Sequence, residues 1–294
     1  MEVTYFGFHT IRLPQAESFN PANAPSGPTD TSTPQQRRLF PEWGQLTGSV
    51  NAGWAKYHAM TTTLRTNSWH GLAGLSTFTW SKDKVTAHYG IGNQGFMDYR
   101  DLYRWAGPSL INPDFRSVTS MTYELPFGKG KKFNASGPVD WVAGGWRVTG
   151  IAQFMQGGHQ WWLAQDNSGT SLPTFYGMAN LVCNPNDQSH AVPRLAYINK
   201  ACYQTPPYGS FGNATLGSFT EPGINNWDLS VAKSFRVPAP KLEDSKLNFR
   251  ADFFNAFNHT QWSYVCNQFN CRVPGRVNDT HNPRQIQFML QYVF

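Results

Sequence analysis

The sequence predicts an all-β fold, an antiparallel meander of about 8–10 strands of the transmembrane β-barrel kind. Three observations predict it. Segments of strand length alternate apolar and polar residues at period 2. From residue 66 onward the connections alternate between short and long, as the turns and loops of outer-membrane barrels do. Composition agrees: charged residues make up only 14% of the 294, aromatic residues 15%, and 26 Gly and 20 Pro supply turns. A chain this aromatic is not disordered, and one this poor in charge is unusual for a soluble domain.

The elements follow in order. Glu2 to Phe8 reads as a first short strand, with Val3 and Tyr5 on one side. Residues 9–43 read as loop, because Pro14, Pro21, Pro25, Pro28, Pro34 and Pro41 punctuate the stretch. Gln45 to Gly53 and Tyr57 to Thr66 are two strands or one, since Leu46, Val50, Ala52 and Trp54 share the parity of Met60. A tight turn is expected at residues 67–71. Leu72 to Lys82 returns with Phe78 and Trp80 against Thr77 and Thr79, and residues 84–115 form a long loop. Arg116 to Phe127 sets Met121, Tyr123 and Leu125 against Ser120, Thr122 and Glu124. A short connection with Lys129, Lys131 and Lys132 leads to Gly145 to Gln156. Residues 158–224 are the longest loop. Asn226 to Val237 and Lys246 to Asn258 flank a polar turn at 238–245, and a loop at 259–283 precedes the last strand. There Ile286, Phe288, Leu290, Tyr292 and Phe294 share one face, and Gln285, Gln287, Met289, Gln291 and Val293 the other. Its length suits a strand tilted across a bilayer, which needs about 9–11 residues.

The less apolar face of these strands carries Arg65, Arg116, Glu124, Arg147, Asp228, Arg250 and Asp252. In a membrane barrel that face lines a wet lumen, so these are the lumen-facing candidates. Aromatic residues gather at strand ends (Trp80, Tyr123, Phe127, Trp146, Trp227, Tyr292, Phe294), as interfacial girdles require. No apolar run approaches the roughly 18 residues of a membrane-spanning helix.

Other classes find little support. The net charge of +6 is scattered, without the basic face of a nucleic-acid binder. The lysines at 129–132 lack the spacing of a phosphate loop and read as a solvated turn. Gly90, Gly92 and Gly95 match a dinucleotide-type spacing but lie in a loop without a βαβ pattern. No catalytic set, metal site or cofactor site is expected; Arg250 and Asp252 read as an ion pair. Cys183 with Cys202 and Cys266 with Cys271 form close pairs in turn-rich stretches. Two short disulfides fit this better than a metal site, since CxxC and His-x-x-x-His spacings are absent. Met1 runs straight into a strand-like Glu2-Val-Thr-Tyr-Phe with no export signal, which reads as the C-terminal piece of a longer exported protein.

Several segments in order resemble Oar-like TonB-dependent outer-membrane receptors. They are Phe78 to Lys82, Tyr123 to Phe133, Gly144 to Ile151, Asn225 to Phe235, Phe249 to His259 and Pro283 to Phe288. The resemblance covers roughly residues 57–294. It implies the C-terminal part of a barrel of about 22 strands, incomplete or open by itself. It also implies nutrient uptake across the outer membrane, lipid as a partner, and TonB met only through N-terminal segments this chain lacks. The last strand resembles the signal read by the barrel-assembly machinery, carried here by Ile286, Phe288, Leu290, Tyr292 and Phe294. Two other readings stay open. One is a soluble carbohydrate-binding module that stacks sugars on Trp161 and Trp162. The other is a small complete barrel acting as adhesin or pore.

Overall fold

The computed structural model describes residues 1–86, 101, 103–171, 176–187, 196–237 and 245–294. Gly90, Gly92, Gly95 and most of the expected turn at 238–245 lie outside these residues. Eight strands build the main sheet: β1 (Glu2–Ser18), β2 (Thr47–Trp69), β3 (Leu72–Val85), β4 (Phe115–Glu124), β5 (Trp146–Met155), β6 (Ile224–Arg236), β7 (Lys246–Phe254) and β8 (Gln285–Val293). Each pairs antiparallel with its sequence neighbours, so the sheet is a meander in chain order. No ladder joins β1 to β8 among the described residues.

The N-terminal strand corrects the expected boundary. It runs to Ser18, not Phe8, so the connection expected from residue 9 begins at residue 19. Its alternation is broken by register shifts between Ile11 and Leu13 and between Leu13 and Gln15. Arg12 has φ +60 within the first shift. Pro14 falls in the second, where a missing N–H costs no ladder bond. The two stretches within 45–66 are one strand, β2. It turns into β3 through His70 and Gly71, which the Trp69–Leu72 pair encloses. Both have positive φ (49° and 88°), the sign pattern of a type I′ hairpin.

Between β4 and β5 lies a seven-residue helix, α1 (Gly137–Ala143), where a plain short connection was expected. Pro138 stands in its first turn, which the fixed proline φ suits. The expected loop at 259–283 contains a hairpin of Trp262–Val265 with Val277–Thr280. The longest connection also carries short pairs, such as Leu163–Gln165 with Tyr176–Met178.

Burial is inverted relative to a soluble sandwich. The apolar core lies in the long connections, around Trp105, Trp162, Leu163, Ile198, Tyr203 and Phe219. The sheet's own apolar face has no protein cover: Phe78, Trp80, Met60, Leu64, Ile286, Phe288 and Leu290 are all exposed. No helix is long and apolar enough to cross a membrane among the described residues.

Candidate functional site

Strand register sorts every wall residue onto one of two faces. Pairs such as Leu72 with Tyr123, Tyr123 with Val148, Val148 with Val231, Val231 with Ala251 and Ala251 with Phe288 carry one face across the sheet. This is the oily face. It holds Phe78, Trp80, Met121, Trp146, Phe154, Trp227, Leu229, Phe235, Phe249, Ile286, Leu290 and Tyr292. Phe288 and Leu290 are 69% and 66% exposed, so the terminal strand is not covered by a soluble core. The aromatic residues fall at two levels. Trp80, Phe154 and Trp227 stand near the long connections, and Tyr123, Trp146 and Tyr292 near the short ones.

The opposite face carries the expected charges. Arg65, Arg116, Glu124, Arg147, Asp228, Arg250 and Asp252 share its parity. Geometry joins only some of them. Arg250 Nε lies 2.9 Å from Asp252 Oδ2, and Arg147 Nη2 lies 3.6 Å from Glu124 Oε1. Lys131 Nζ completes the second cluster at 2.9 Å from Glu124. Asp228 instead accepts the backbone N–H of Asn255 at 2.9 Å and the side chain of Asn226 at 3.0 Å, closing the turn after β7.

Sequence reasoning missed two features of these faces. Phe6, Phe8 and Tyr57 stack on the charged face at the β1 edge, with the Phe8 and Tyr57 rings 5.5 Å apart. Lys233 interrupts the oily face between Val231 and Phe235. That break in parity was its one visible signal. Lys233 is buried and donates to the carbonyls of Trp141 at 2.6 Å and Val142 at 2.9 Å. Its ammonium also stands 4.8 Å from the Phe235 ring centre and 5.4 Å from that of Trp146.

At the other end the long connections interlock into a cap. Asn20, fully buried, donates to the carbonyls of Phe40 and Gly44 at 2.9 Å each and organises the first connection. Arg37 reaches across to the Gly169 carbonyl at 2.6 Å. The Trp105 indole donates to the Gly212 carbonyl at 2.9 Å, and the Leu163 N–H to that of Asn267 at 3.0 Å. Cys183 is bonded to Cys202 and Cys266 to Cys271, with Cα separations of 4.8 and 6.3 Å. Closing a loop like that between Cys183 and Cys202 stabilises by about 3 kcal/mol through the unfolded chain. Trp161 and Trp162 are buried at 5% and 0% exposure, which corrects their expected role as sugar-stacking platforms. Trp162 stacks on Tyr203 instead, 4.6 Å between ring centres.

Two carboxylates mark the seam between cap and sheet. Asp114 lies 2.5 Å from Lys82 Nζ and 3.2 Å from His159 Nε2. Burial raises its carboxyl, but the hydrogen bonds from Lys82 and His159 prevail and hold it below the usual carboxylate range. Glu221 goes the other way. Burial pushes it up, and hydrogen bonds from the Val265 N–H and the Gln160 side chain offset this only in part.

An uncovered oily face, a charged face opposite and a capped end describe a membrane barrel wall, and the comparison of families decides the matter. Residues 1–287 match the model of the outer membrane beta barrel domain. This chain belongs to that family. As an outer-membrane β-barrel domain it resides in the outer membrane, and no soluble reading remains. A fold comparison finds similarity to the outer membrane transporter YddB from Escherichia coli, at 10% identity and a TM-score of 0.43. The similarity covers 98% of this chain and 29% of that one, so this chain spans less than a third of that transporter's length. No curated protein matches the sequence.

Proposed function

We propose that this barrel domain forms part of the wall of a TonB-dependent transporter that takes up a nutrient across the outer membrane. The observation that carries it is the sorting of charge. Between Trp80 and the short turns, the face bearing Phe288 and Leu290 carries no charge but the buried Lys233 among the described residues, with Lys56, Lys82 and Lys84 lying beyond Trp80 toward the cap. Arg147, Glu124, Arg250 and Asp252 pair with one another on the reverse. The first face meets lipid. The second, with Arg65, Arg116 and Asp228, lines a wet lumen. The stapled cap stands where ligand arrives, and its rigidity holds recognition residues in place. The terminal strand presents Ile286, Phe288, Leu290, Tyr292 and Phe294 to the barrel-assembly machinery and then to lipid. The ordered Oar-like segments support TonB dependence over a passive pore.

Growth competition tests this reading. A strain deleted for the gene is grown against its parent on iron chelates, cobalamin, oligosaccharides and peptides, each with and without TonB. A defect confined to one nutrient class and reproduced by loss of TonB is the expected result. A defect that persists unchanged without TonB, or none on any nutrient, overturns it.

A further inference from the structure

The structure assigns the cleft beside α1 to the phosphate of an anionic glycerophospholipid, phosphatidylglycerol being the simplest example. The inference rests on the membrane location of the oily face and not on transport. Three observations carry it.

The first is position. Trp141 of α1 packs on Phe235, ring centres 5.1 Å apart, and Phe235 belongs to the oily face. The Trp146 indole donates to the Val142 carbonyl at 2.9 Å and ties the helix down. So α1 lies against the lipid-facing side of the wall, level with Tyr123 and Tyr292 at the short-turn end. That is the depth of the headgroup boundary.

The second is the exposed surface of α1. Val139, Trp141 and Val142 are all more than half exposed. In water three such residues on a seven-residue helix are a liability. At a bilayer boundary they insert among acyl chains.

The third is charge. A cavity of about 460 Å³ opens between the turn at Phe127–Lys131, α1 and the end of β6. Lys129, Lys131, Lys233 and Arg236 line it against a single carboxylate, Asp140. Asp140 Oδ1 is already engaged by the Lys129 backbone N–H at 2.8 Å. Lys131 is held by Glu124 and Lys233 by the helix carbonyls, which leaves the charges of Lys129 and Arg236 without a carboxylate among the described residues. A phosphodiester supplies the missing anion. A choline or ethanolamine ammonium adds a positive charge to a cleft where four cations already outnumber the one carboxylate, Asp140, so the cleft favours the headgroup without a cation. From bilayer centre outward the order on the oily face is Phe288, then Trp146 and Trp141, then Lys129, while Arg236, which has the parity of the charged face, reaches the same cavity from the rim as the last residue of β6. Acyl chain, glycerol and phosphate follow the same order in a lipid.

The test uses the full chain in micelles doped with phosphatidylglycerol or phosphatidylcholine, with bound lipid counted by native mass spectrometry. The variant is Lys129→Gln with Arg236→Gln; both side chains are exposed, and strand content by circular dichroism confirms folding. Lys132→Gln is the control, since it removes one positive charge from outside the cleft, where Lys132 stands over Phe133. Each cation near a membrane surface is worth about five-fold in binding, so the pair removes roughly 30-fold of phosphatidylglycerol retention. Phosphatidylcholine retention and the control stay unchanged. Equal retention of the two lipids, undiminished retention in the double variant, or displacement by millimolar inorganic phosphate overturns the proposal. A chain that fails to enter micelles at all overturns the membrane reading instead, so the two failures are distinct.

Discussion

Lys233 Nζ lies 2.6 Å from the carbonyl oxygen of Trp141, so a strand's cation holds a helix's last turn against the oily face. The contact places charge where parity demands a hydrophobe, between Val231 and Phe235. Four Lys233 methylenes fill the gap beside Phe235 and Trp146 while the ammonium meets carbonyls and ring faces. Lys233→Met keeps the apolar stem and removes the donor. The expected cost is about 1.5–3 kcal/mol, the value of hydrogen bonds to a charged group. Limited proteolysis reads it: cleavage within 128–145 quickens in the Met variant and returns toward the parent rate in Lys233→Arg.

The cap is predicted to unfold apart from the wall. Trp162 has no exposed surface and lies parallel to Tyr203, an interplanar angle of 9°. Its loss opens a void that the surrounding connections, bound to one another by backbone hydrogen bonds, fill poorly. Trp162→Ala costs about 3–5 kcal/mol. Protease cutting within 156–223 rises strongly, while strand content by circular dichroism stays at the parent level. Equal loss of both signals shows instead that cap and wall fold as one unit.

Asp114 and Glu221 give the cap a two-sided pH response. The Asp114 carboxyl is held down, so its contribution is present above the ordinary carboxylate value of about 4 and is lost as pH falls through the lower folded value. The Glu221 carboxyl is pushed up. Its contribution is fully present below the ordinary value and is lost as pH rises through the raised one. Acidification from neutral therefore stabilises the cap first and destabilises it only below about pH 4. Thermal melting of the cap from pH 8 to 3 checks this. Glu221→Gln flattens the rise, and Asp114→Asn flattens the fall at the acid end.

What could be read from the chain in advance follows from what period 2 encodes. In β6, β7 and β8 each oily residue has lipid on one side and each polar residue faces away, so pattern and environment coincide. In β1 the bulges around Arg12 and Pro14 shift the parity, and a continuous 17-residue strand looks like a short one followed by loop. Phe6 and Phe8 precede the bulges and alternate with Val3 and Tyr5, so plain period 2 puts them on the charged face, where an apolar side chain is not expected. The helix α1 escapes because seven residues span two turns, too few for a 3.6-residue period to show. Trp161 and Trp162 mislead for a different reason. A loop in a barrel is assumed wet, yet here the connections are long enough to bury a core of their own. The cysteine pairs remain legible because nearness in sequence alone brings Cys266 and Cys271 together, five residues apart.

Neighbouring residues of β8 test the sidedness of the wall. Phe288 pairs with Ala251 on the oily face and Gln287 with Asp252 on the charged one. Phe288 is already 69% exposed, so in water an arginine there would displace almost nothing. In lipid it costs about 2–4 kcal/mol near the bilayer midplane, because hydrocarbon cannot solvate a guanidinium. Gln287→Arg faces the lumen and stays within about 0.5 kcal/mol of the parent, as a surface substitution away from packed groups does. It also lies opposite Asp252, which can accept a second ion pair. Urea unfolding from lipid vesicles measures both variants on one scale. A large cost at residue 288 with none at 287 establishes that the two faces meet different solvents; equal, small effects show that no hydrocarbon touches β8.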